Sequence, residues 1–145
     1  MYHMIIEQTQ EYPFRMEYDP STDQFYESEF LSLAHARNFP HPYGWIKESG
    51  TPPKSHLDVF LLTDEKFDLG DEVAVKIVGC FIRSDGDSKL ISVLPNRLEN
   101  DLSELPETEI NDLKRLYPIL NEGEGWFGFI QALEIIDTYF KKSKA

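Results

Sequence analysis

The sequence predicts an α+β protein that is mainly β, built as a small barrel of short strands with two helices packed outside it. Short apolar runs separated by turn residues fill the chain up to about residue 95. Two stretches with helical spacing of apolar residues follow in the last third. No repeat or long linker divides the 145 residues, so we predict a single domain over 1–145.

The first forty residues predict short strands joined by turns. Residues 14–18 alternate in polarity and end at an Asp-Pro-Ser-Thr turn. This alternation places Arg15 and Glu17 on one face of the strand. A second strand is predicted over residues 24–33.

Residues 39–64 form the central stretch of the chain. It begins with an aromatic-rich turn containing Pro and Gly, crosses a polar loop with prolines, and enters the apolar run 59–62. That run predicts a buried strand. Asp58 stands immediately before it, where a carboxylate either caps a turn or acts as a ligand on a rigid element.

Beyond the central stretch, residues 72–82 give the strongest strand pattern, with Gly79 predicting a bulge or a close approach. Residues 84–88 predict a tight turn, and residues 89–93 the returning partner of a hairpin. Pro106 opens a helical pattern over 107–120, which Pro118 ends or kinks. Residues 123–128 predict a loop, and residues 129–142 a second helix with lysines at its end.

The charge of the chain excludes some classes of partner. A formal net charge of −12 and a sequence pI near 4.6 argue against nucleic acid and against an anionic membrane surface. No apolar run approaches the ~20 residues of a membrane span, and the first ten residues lack a signal-peptide pattern. We therefore predict a cytoplasmic protein. Cys80 is the single cysteine and lies among apolar residues, which predicts a buried, inert thiol.

Three aspartates and a lysine are the first candidates for chemistry. Asp58 precedes one strand, while Asp85 and Asp87 lie in the hairpin turn, so they converge at one end of the barrel if the strands are neighbours. Oxygen ligands of this kind suit Mg²⁺ or Mn²⁺, although Asp-Gly is also the commonest hairpin turn. Lys89 either neutralises these acids or binds a phosphate oxygen.

The remaining candidates each keep two interpretations. Arg15 and Glu17 form either a surface pair or an anion-binding arginine with its orienting acid. Tyr43 either packs on the barrel rim or donates its hydroxyl to an anion. Three of the four histidines, at positions 35, 41 and 56, lack metal-site spacing, so we predict solvated loop histidines.

Four segments, in order, resemble motifs of one known family over roughly residues 12–140. A Lys-Tyr-Glu-Tyr-Asp strand matches residues 15–19, with arginine in place of the lysine. A Tyr-Pro-x-Asn-Tyr-Gly-Tyr-Ile segment matches residues 39–46, and an Asp-Gly-Asp-Pro-x-Asp signature matches residues 53–58. An Asp-x-Lys motif matches residues 87–89. On these motifs the chain resembles the soluble inorganic pyrophosphatases of the metal-dependent β-barrel type.

The resemblance implies a closed OB-like barrel of about five to seven strands and Mg²⁺-dependent hydrolysis of pyrophosphate or a related phosphoanhydride, with Mn²⁺ as a substitute metal. It implies metal ligands at Asp58, Asp85 and Asp87. The phosphate-binding residues that it implies are Arg15, Glu17, Tyr43, Lys89 and Tyr117. It also implies self-association into a homo-oligomer.

The chain departs from the family pattern at residues that take part in the chemistry. Pro53 and Ser55 replace two signature acids, and Ser55 stands at the position of the acid that activates the attacking water. Pro118 replaces a phosphate-binding lysine, and Phe39 lacks a tyrosine hydroxyl. These departures predict weak hydrolysis, with Glu48 or His56 assisting the water.

Two alternatives stay open from the sequence. The first is a catalytically inactive pseudoenzyme that serves as a phosphate- or metal-binding or assembly module. The second is an unrelated acidic β-barrel whose aspartates are all turn residues.

Overall fold

The computed structural model describes residues 1–143, which form eight strands and three α-helices. The strands are β1 (Tyr2–Gln8), β2 (Phe14–Asp19), β3 (Gln24–Leu31), β4 (Tyr43–Ile46), β5 (Asp58–Leu61), β6 (Glu72–Ile82), β7 (Lys89–Val93) and β8 (Gly125–Gly128). The helices are α1 (Leu33–Ala36), α2 (Glu107–Leu116) and α3 (Phe129–Ser143). Two short 3₁₀ helices, Lys47–Ser49 and Leu102–Glu104, complete the chain.

Five strands close into a barrel, in agreement with the predicted fold class. The order is β1-β4-β5-β7-β6, and β6 pairs back to β1 from Tyr2↔Val75 to Ile5↔Glu72. All barrel pairings are antiparallel except β5 with β7, which is parallel. The hairpin β2–β3 forms a separate two-stranded sheet. Barrel closure leaves few free strand edges, because one long strand, β6, pairs with β7, β1 and β8.

The apolar run at residues 59–62 is buried on both faces of β5, as predicted. Val59 and Leu61 belong to one hydrophobic cluster, which includes Ala132 and Ile136 of α3. Phe60 and Leu62 belong to a second cluster, which includes residues of α2. A strand with core on both sides needs a continuous apolar run instead of alternation, and this explains the sequence pattern.

The hairpin of β6 and β7 confirms three local predictions. The register shifts between Ile77 and Gly79, and a Cβ on Gly79 would come within 2.6 Å of the Phe127 carbonyl oxygen. Gly79 therefore lies at a β-bulge and also lets the backbone of β8 come close to β6. Cys80 is fully buried, and burial raises the pKa of its thiol to about 11, so it is inert.

Four sequence predictions need correction. Residues 43–46, predicted as a turn, form β4, and residues 125–128, predicted within a loop, form β8 on the edge of β6. Both segments are only four residues long, and their pairing partners lie far away in sequence, so local glycines and prolines were misleading. The strand predicted over 24–33 ends at Leu31, and the helix predicted over 107–120 ends at Leu116, just before Pro118.

Within residues 1–143, every helix falls short of the length and apolar character that crossing a lipid bilayer demands.

Candidate functional site

One cavity of about 520 Å³ lies where the ends of β1, β2, β4, β5 and β7 meet the loop before β5. The residues that line it are Glu7, Arg15, Met16, Glu17, Tyr18, Tyr26, Tyr43, Pro52, Pro53, Lys54, Ser55, His56, Asp58, Asp87 and Lys89. This set contains most of the residues selected from the sequence. The structure therefore brings Arg15, Tyr43, Asp58 and Lys89 to one place from four different strands.

Lys89 is the centre of the cavity floor. The parallel register of β5 and β7 puts Lys89 opposite Asp58. Its Nζ donates to Asp58 Oδ2 at 2.7 Å, to Asp87 Oδ2 at 3.1 Å and to the Tyr43 hydroxyl at 3.1 Å. Lys89 is only 6% exposed. Burial lowers its pKa, but the two carboxylates outweigh burial and the net pKa is raised, so the ammonium stays charged.

Asp58 uses both carboxylate oxygens. Oδ2 accepts from Lys89, while Oδ1 lies 3.0 Å from His56 Nε2. Burial alone would raise the pKa of Asp58, but the hydrogen bond from His56 and the Lys89 charge lower it to about 2. The His56 pKa is raised, first by its hydrogen bond to Asp58. Asp58 is thus an ionised acid that lies between the Lys89 ammonium and the His56 ring.

Glu7 is a site residue that the sequence reasoning missed. It belongs to β1, where Ile6 and Gln8 point into the core and Glu7 points to the opposite side, toward the cavity. Burial and the nearby Asp58 charge raise the Glu7 pKa to about 7. The available signal was a glutamate inside the apolar run Met-Ile-Ile-Glu, on a strand whose bounds had not been predicted.

Arg15 is held over the cavity by the backbone on either side of it. The buried Gln8 side chain accepts from the Met16 N–H at 2.7 Å and donates to the Phe14 carbonyl at 3.2 Å. The β2–β3 register shifts between the same two residues, which leaves Arg15 at a bulge. Glu17 lines the same cavity and accepts from the Tyr26 hydroxyl at 2.8 Å.

The loop that contains Pro53 and Ser55 is fixed at both ends. Ser49 Oγ accepts from the Leu57 N–H at 2.8 Å and donates to the Ile46 carbonyl at 2.6 Å. Gly50 has φ +138°, and a Cβ there would come within 2.2 Å of the Ser55 carbonyl oxygen. Pro53 and Ser55 do line the cavity. The two positions of the missing acids therefore face the site without a carboxylate.

Two predicted site residues lie elsewhere among the described residues. Asp85 is absent from the cavity lining of residues 1–143, and its Oδ1 accepts from the Asp87 N–H at 2.9 Å inside the hairpin turn. Tyr117 stacks on Phe81 with ring centroids 4.3 Å apart, and burial raises its pKa. Both keep structural partners, and their predicted roles in binding remain predictions.

The cavity also contains two cations that form no ion pair among the described residues. Within the described chain, 1–143, neither Arg15 nor Lys54 forms an ion pair, although both line the cavity. Lys89, by contrast, has three acceptors for its three N–H groups. Arg15 and Lys54 are therefore the donors that remain for an anion entering from solvent.

The residues of the site do not match a divalent-cation site. Over the part of the chain that the structure describes, no three His, Cys, Asp or Glu side chains are arranged to hold a metal ion. The point between the Asp58 and Asp87 carboxylates, where a cation would bind, is taken by the Lys89 ammonium. Mg²⁺ requires several oxygen ligands near 2.0–2.1 Å in octahedral order, and this donor set does not provide them.

The prediction of solvated histidines is wrong for His41, which is 2% exposed. Its Nδ1 accepts from the Thr63 N–H at 3.1 Å, and its Nε2 donates to Asp112 Oδ2 at 2.8 Å. This pair joins the start of β4 to helix α2. His56 is half-buried against Asp58, as described above.

Comparison with known proteins gives the class of this chain. The family model described as inorganic pyrophosphatase matches residues 4–144, so the chain belongs to the inorganic pyrophosphatase family, as the motif resemblance predicted. Members of this family generally depend on divalent metals and bind pyrophosphate or phosphate.

Two curated relatives match part of their own length. The chain is 32% identical over 110 residues to the inorganic pyrophosphatase of Malacoplasma penetrans (strain HF-2), covering 71% of this chain and 60% of that protein. It is 30% identical over 83 residues to the inorganic pyrophosphatase of Ureaplasma parvum serovar 3, covering 55% of this chain and 45% of that protein. The match thus spans about half the length of these relatives.

Solved structures agree on the fold. The inorganic pyrophosphatase from Helicobacter pylori superposes with a TM-score of 0.77 at 18% identity, covering 99% of this chain and 93% of that one. The inorganic phosphatase from Anaplasma phagocytophilum superposes with a TM-score of 0.76 at 20% identity, with the same coverage. Identities this low establish the barrel fold alone.

Proposed function

We propose that the cavity around Lys89 binds pyrophosphate or a related phosphoanhydride, and that the chain hydrolyses it slowly to phosphate. The observation that supports this most directly is the presence of Arg15 and Lys54, two cations without ion-pair partners among residues 1–143, beside the Lys89–Asp58 pair at the family signature. A guanidinium fork and an ammonium match the oxygens of a phosphate group. The Tyr43 hydroxyl accepts the third N–H of Lys89 at the floor of the cavity.

Slow turnover follows from what Pro53 and Ser55 lack. A positioned general base contributes about 10²–10⁴ in rate, and neither side chain can act as a carboxylate base. Among the cavity residues, His56 and Glu7 are the candidate bases, because the pKa of each is raised. We therefore propose that the missing acids lower the rate of hydrolysis more than they lower the affinity for pyrophosphate.

The test is phosphate release from pyrophosphate by the wild type and by Asp58→Asn. Mg²⁺ is the metal to supply first and Mn²⁺ the second, because the family resemblance predicts Mg²⁺ dependence. We expect slow release that the substitution suppresses by at least about tenfold, because Asp58 holds both His56 and Lys89 in place. Lys47→Met, at an exposed ion pair with Glu72, is the control for surface charge. Equal release by the wild type and Asp58→Asn would refute hydrolysis at this site.

A second function is favoured by the same two positions. Since Pro53 and Ser55 put no acid into the cavity, a protein that binds a phosphate-containing ligand without hydrolysing it fits the lining equally well. Binding of pyrophosphate without any phosphate release, with or without metal, would select this alternative.

Other sequence-based expectations belong to the same proposal. They are a single domain over 1–145, a cytoplasmic location, self-association into a homo-oligomer, and partners that include neither nucleic acid nor membrane.

A further inference from the structure

We infer that Lys89 takes the place of a divalent cation in this chain, so that the cavity excludes free Mg²⁺ or Mn²⁺ and receives its phosphate ligand as a metal-free anion. The inference rests on the proposed phosphate-binding cavity and concerns how its charges are balanced. The Asp-x-Lys motif is shared with the family, so it is Lys89 together with the missing acids at Pro53 and Ser55 that would separate this chain from the family's general metal dependence.

The geometry between the two aspartates supports the first half of the inference. Lys89 Nζ lies 2.7 Å from Asp58 Oδ2 and 3.1 Å from Asp87 Oδ2, so the ammonium bridges both carboxylates. The other Asp58 oxygen faces His56 Nε2 at 3.0 Å. An ion entering here would have to displace two basic groups from one carboxylate.

Displacing Lys89 is unfavourable because its ammonium would give up the two carboxylates that compensate its charge. Lys89 is 6% exposed on a strand whose five residues are all buried. An ammonium buried there without its carboxylates would lose its compensation, and a 2+ ion beside it would repel it strongly in a low-dielectric site. A tethered 1+ charge at this point therefore competes successfully with a free 2+ ion.

Pro53 and Ser55 leave the cavity without two carboxylates that could have bound a metal. Both line the cavity, and both stand at positions where the family signature carries acids. With Asp85 held in the hairpin turn, Asp58 and Asp87 are the carboxylates that accept from the Lys89 ammonium, and Glu7 and Glu17 also line the cavity. Lys89 offsets one of the two negative charges, so this pair attracts a further cation less strongly than two free carboxylates would.

The second half of the inference follows from Arg15 and Lys54. These cations face the cavity without ion-pair partners among residues 1–143, so their donors are available to an anion. Because Lys89 and His56 already bind the acids on the floor, a phosphate can approach without a metal to screen them. Glu7 and Glu17 face the same cavity and limit how much anionic charge it accepts.

The first experiment measures Mn²⁺ binding by the electron paramagnetic resonance signal of free Mn²⁺. We expect the wild type to leave the signal unchanged. Lys89→Met keeps an unbranched side chain, one atom shorter, and removes its charge. We expect the Mn²⁺ affinity to rise at least about tenfold because the repelling charge is gone. Adding Asp58→Asn to Lys89→Met should abolish that gain, while Lys47→Met should match the wild type. Wild-type affinity equal to that of Lys89→Met would overturn the inference.

The wild-type titration tests the inference even if Lys89→Met fails to fold, because tight Mn²⁺ binding by the wild type alone contradicts it. Asp87→Asn offers a second variant, since the Asp87 side chain is 59% exposed. This substitution removes one of the two carboxylates that bind the Lys89 ammonium. We expect the variant, like the wild type, not to bind Mn²⁺. Mn²⁺ binding that appears in the wild type and disappears in Asp87→Asn would place a metal on Asp87, against the inference.

The second experiment measures pyrophosphate binding calorimetrically in the presence of a chelator and in the presence of Mg²⁺. We expect equal affinity in both, within about twofold, and a loss of at least about tenfold for Arg15→Gln. Binding only with Mg²⁺ would overturn the inference while leaving the proposed function intact. Absence of binding under both conditions would refute the proposed function and the anion half of the inference, whereas the Mn²⁺ titration would still decide the role of Lys89.

Discussion

Two places in the molecule bury a basic side chain against an aspartate, and they differ in what remains unpaired around them. At the floor of the cavity, Lys89 binds Asp58 and Asp87 beside two cations without partners among residues 1–143. On the far side of β5, His41 donates to Asp112, which also accepts from Arg115. We call these hydrogen bonds the closed network. The first place opens to solvent through a cavity of about 520 Å³, and the second joins a loop to a helix.

In the closed network, every polar side-chain atom of His41 and Asp112 has a hydrogen-bond partner. Asp112 Oδ1 accepts from Arg115 at 2.8 Å, and Arg115 also donates to the carbonyl oxygens of Arg37 and Asn38. His41 has the Thr63 N–H as its remaining partner. Both ring nitrogens of His41 and both carboxylate oxygens of Asp112 are thus occupied, so this pair stabilises the fold. The cavity around Lys89 is therefore the candidate functional site, because charged groups beside it form no ion pair among residues 1–143.

The largest expected effect comes from adding a missing acid to the open site. Ser55→Asp places a carboxylate at the position of the family's water-activating acid, and we expect phosphate release from pyrophosphate to rise by about 10²-fold or more. Ser55→Asn is the matched control, because it has the same size without the charge. Parallel rates for the two variants, measured by phosphate release, would show that a base at this position does not limit turnover.

A second prediction uses the pH dependence of the open site. The Glu7 pKa is raised from 4.5 to about 7 in the folded state, so the folded protein binds this proton more tightly than the unfolded chain. Its stability therefore falls as pH rises between those two values. Glu7→Gln should remove this loss and, above pH 7, raise the free energy of unfolding by at most about 3 kcal/mol, at about 1.4 kcal/mol per pKa unit.

Denaturant titrations across the pH range measure this effect. Below the unfolded-state pKa the two proteins should be equally stable, because Glu7 is protonated in both states. Glu11→Gln changes an exposed glutamate and serves as the control. A wild-type stability curve that is parallel to that of Glu7→Gln at every pH would contradict the prediction.

The smallest expected effect concerns the closed network. Asp112→Ala leaves the His41 Nε2–H without its acceptor in a site that is 2% exposed, and we expect a loss of about 1–3 kcal/mol in the free energy of unfolding. Asp112→Asn keeps an acceptor oxygen for His41 and should lose less. Pyrophosphate binding should be unchanged in both variants. Equal stability of Asp112→Ala and the wild type, measured by thermal or denaturant unfolding, would show that this network is dispensable.

Local patterns were enough to predict much of the fold and part of the site. The run at 59–62, the hairpin around Gly86 and the two C-terminal helices are encoded by neighbouring residues, through burial, turn chemistry and helical period. Asp58 and Lys89 could be selected because each stands at the start of a buried strand. The four motifs then ordered these residues along the chain, and the family match over residues 4–144 agrees with them.

Other features depended on contacts between residues distant in sequence. β4 and β8 become strands only because β1, β5 and β6 offer them edges, so their own glycines did not reveal them. Glu7 enters the site through barrel closure, which turns one face of β1 toward Asp58.

The sequence by itself determined the apolar run at 59–62, the two C-terminal helices, the acidic charge and the absence of carboxylates at Pro53 and Ser55. Only the tertiary structure decided which charges meet. The parallel register of β5 and β7 sets Lys89 against Asp58, and the hairpin turn adds Asp87 on its other side. Charge pairing depends on distances of a few ångströms between strands, and residue order along one chain does not specify such distances.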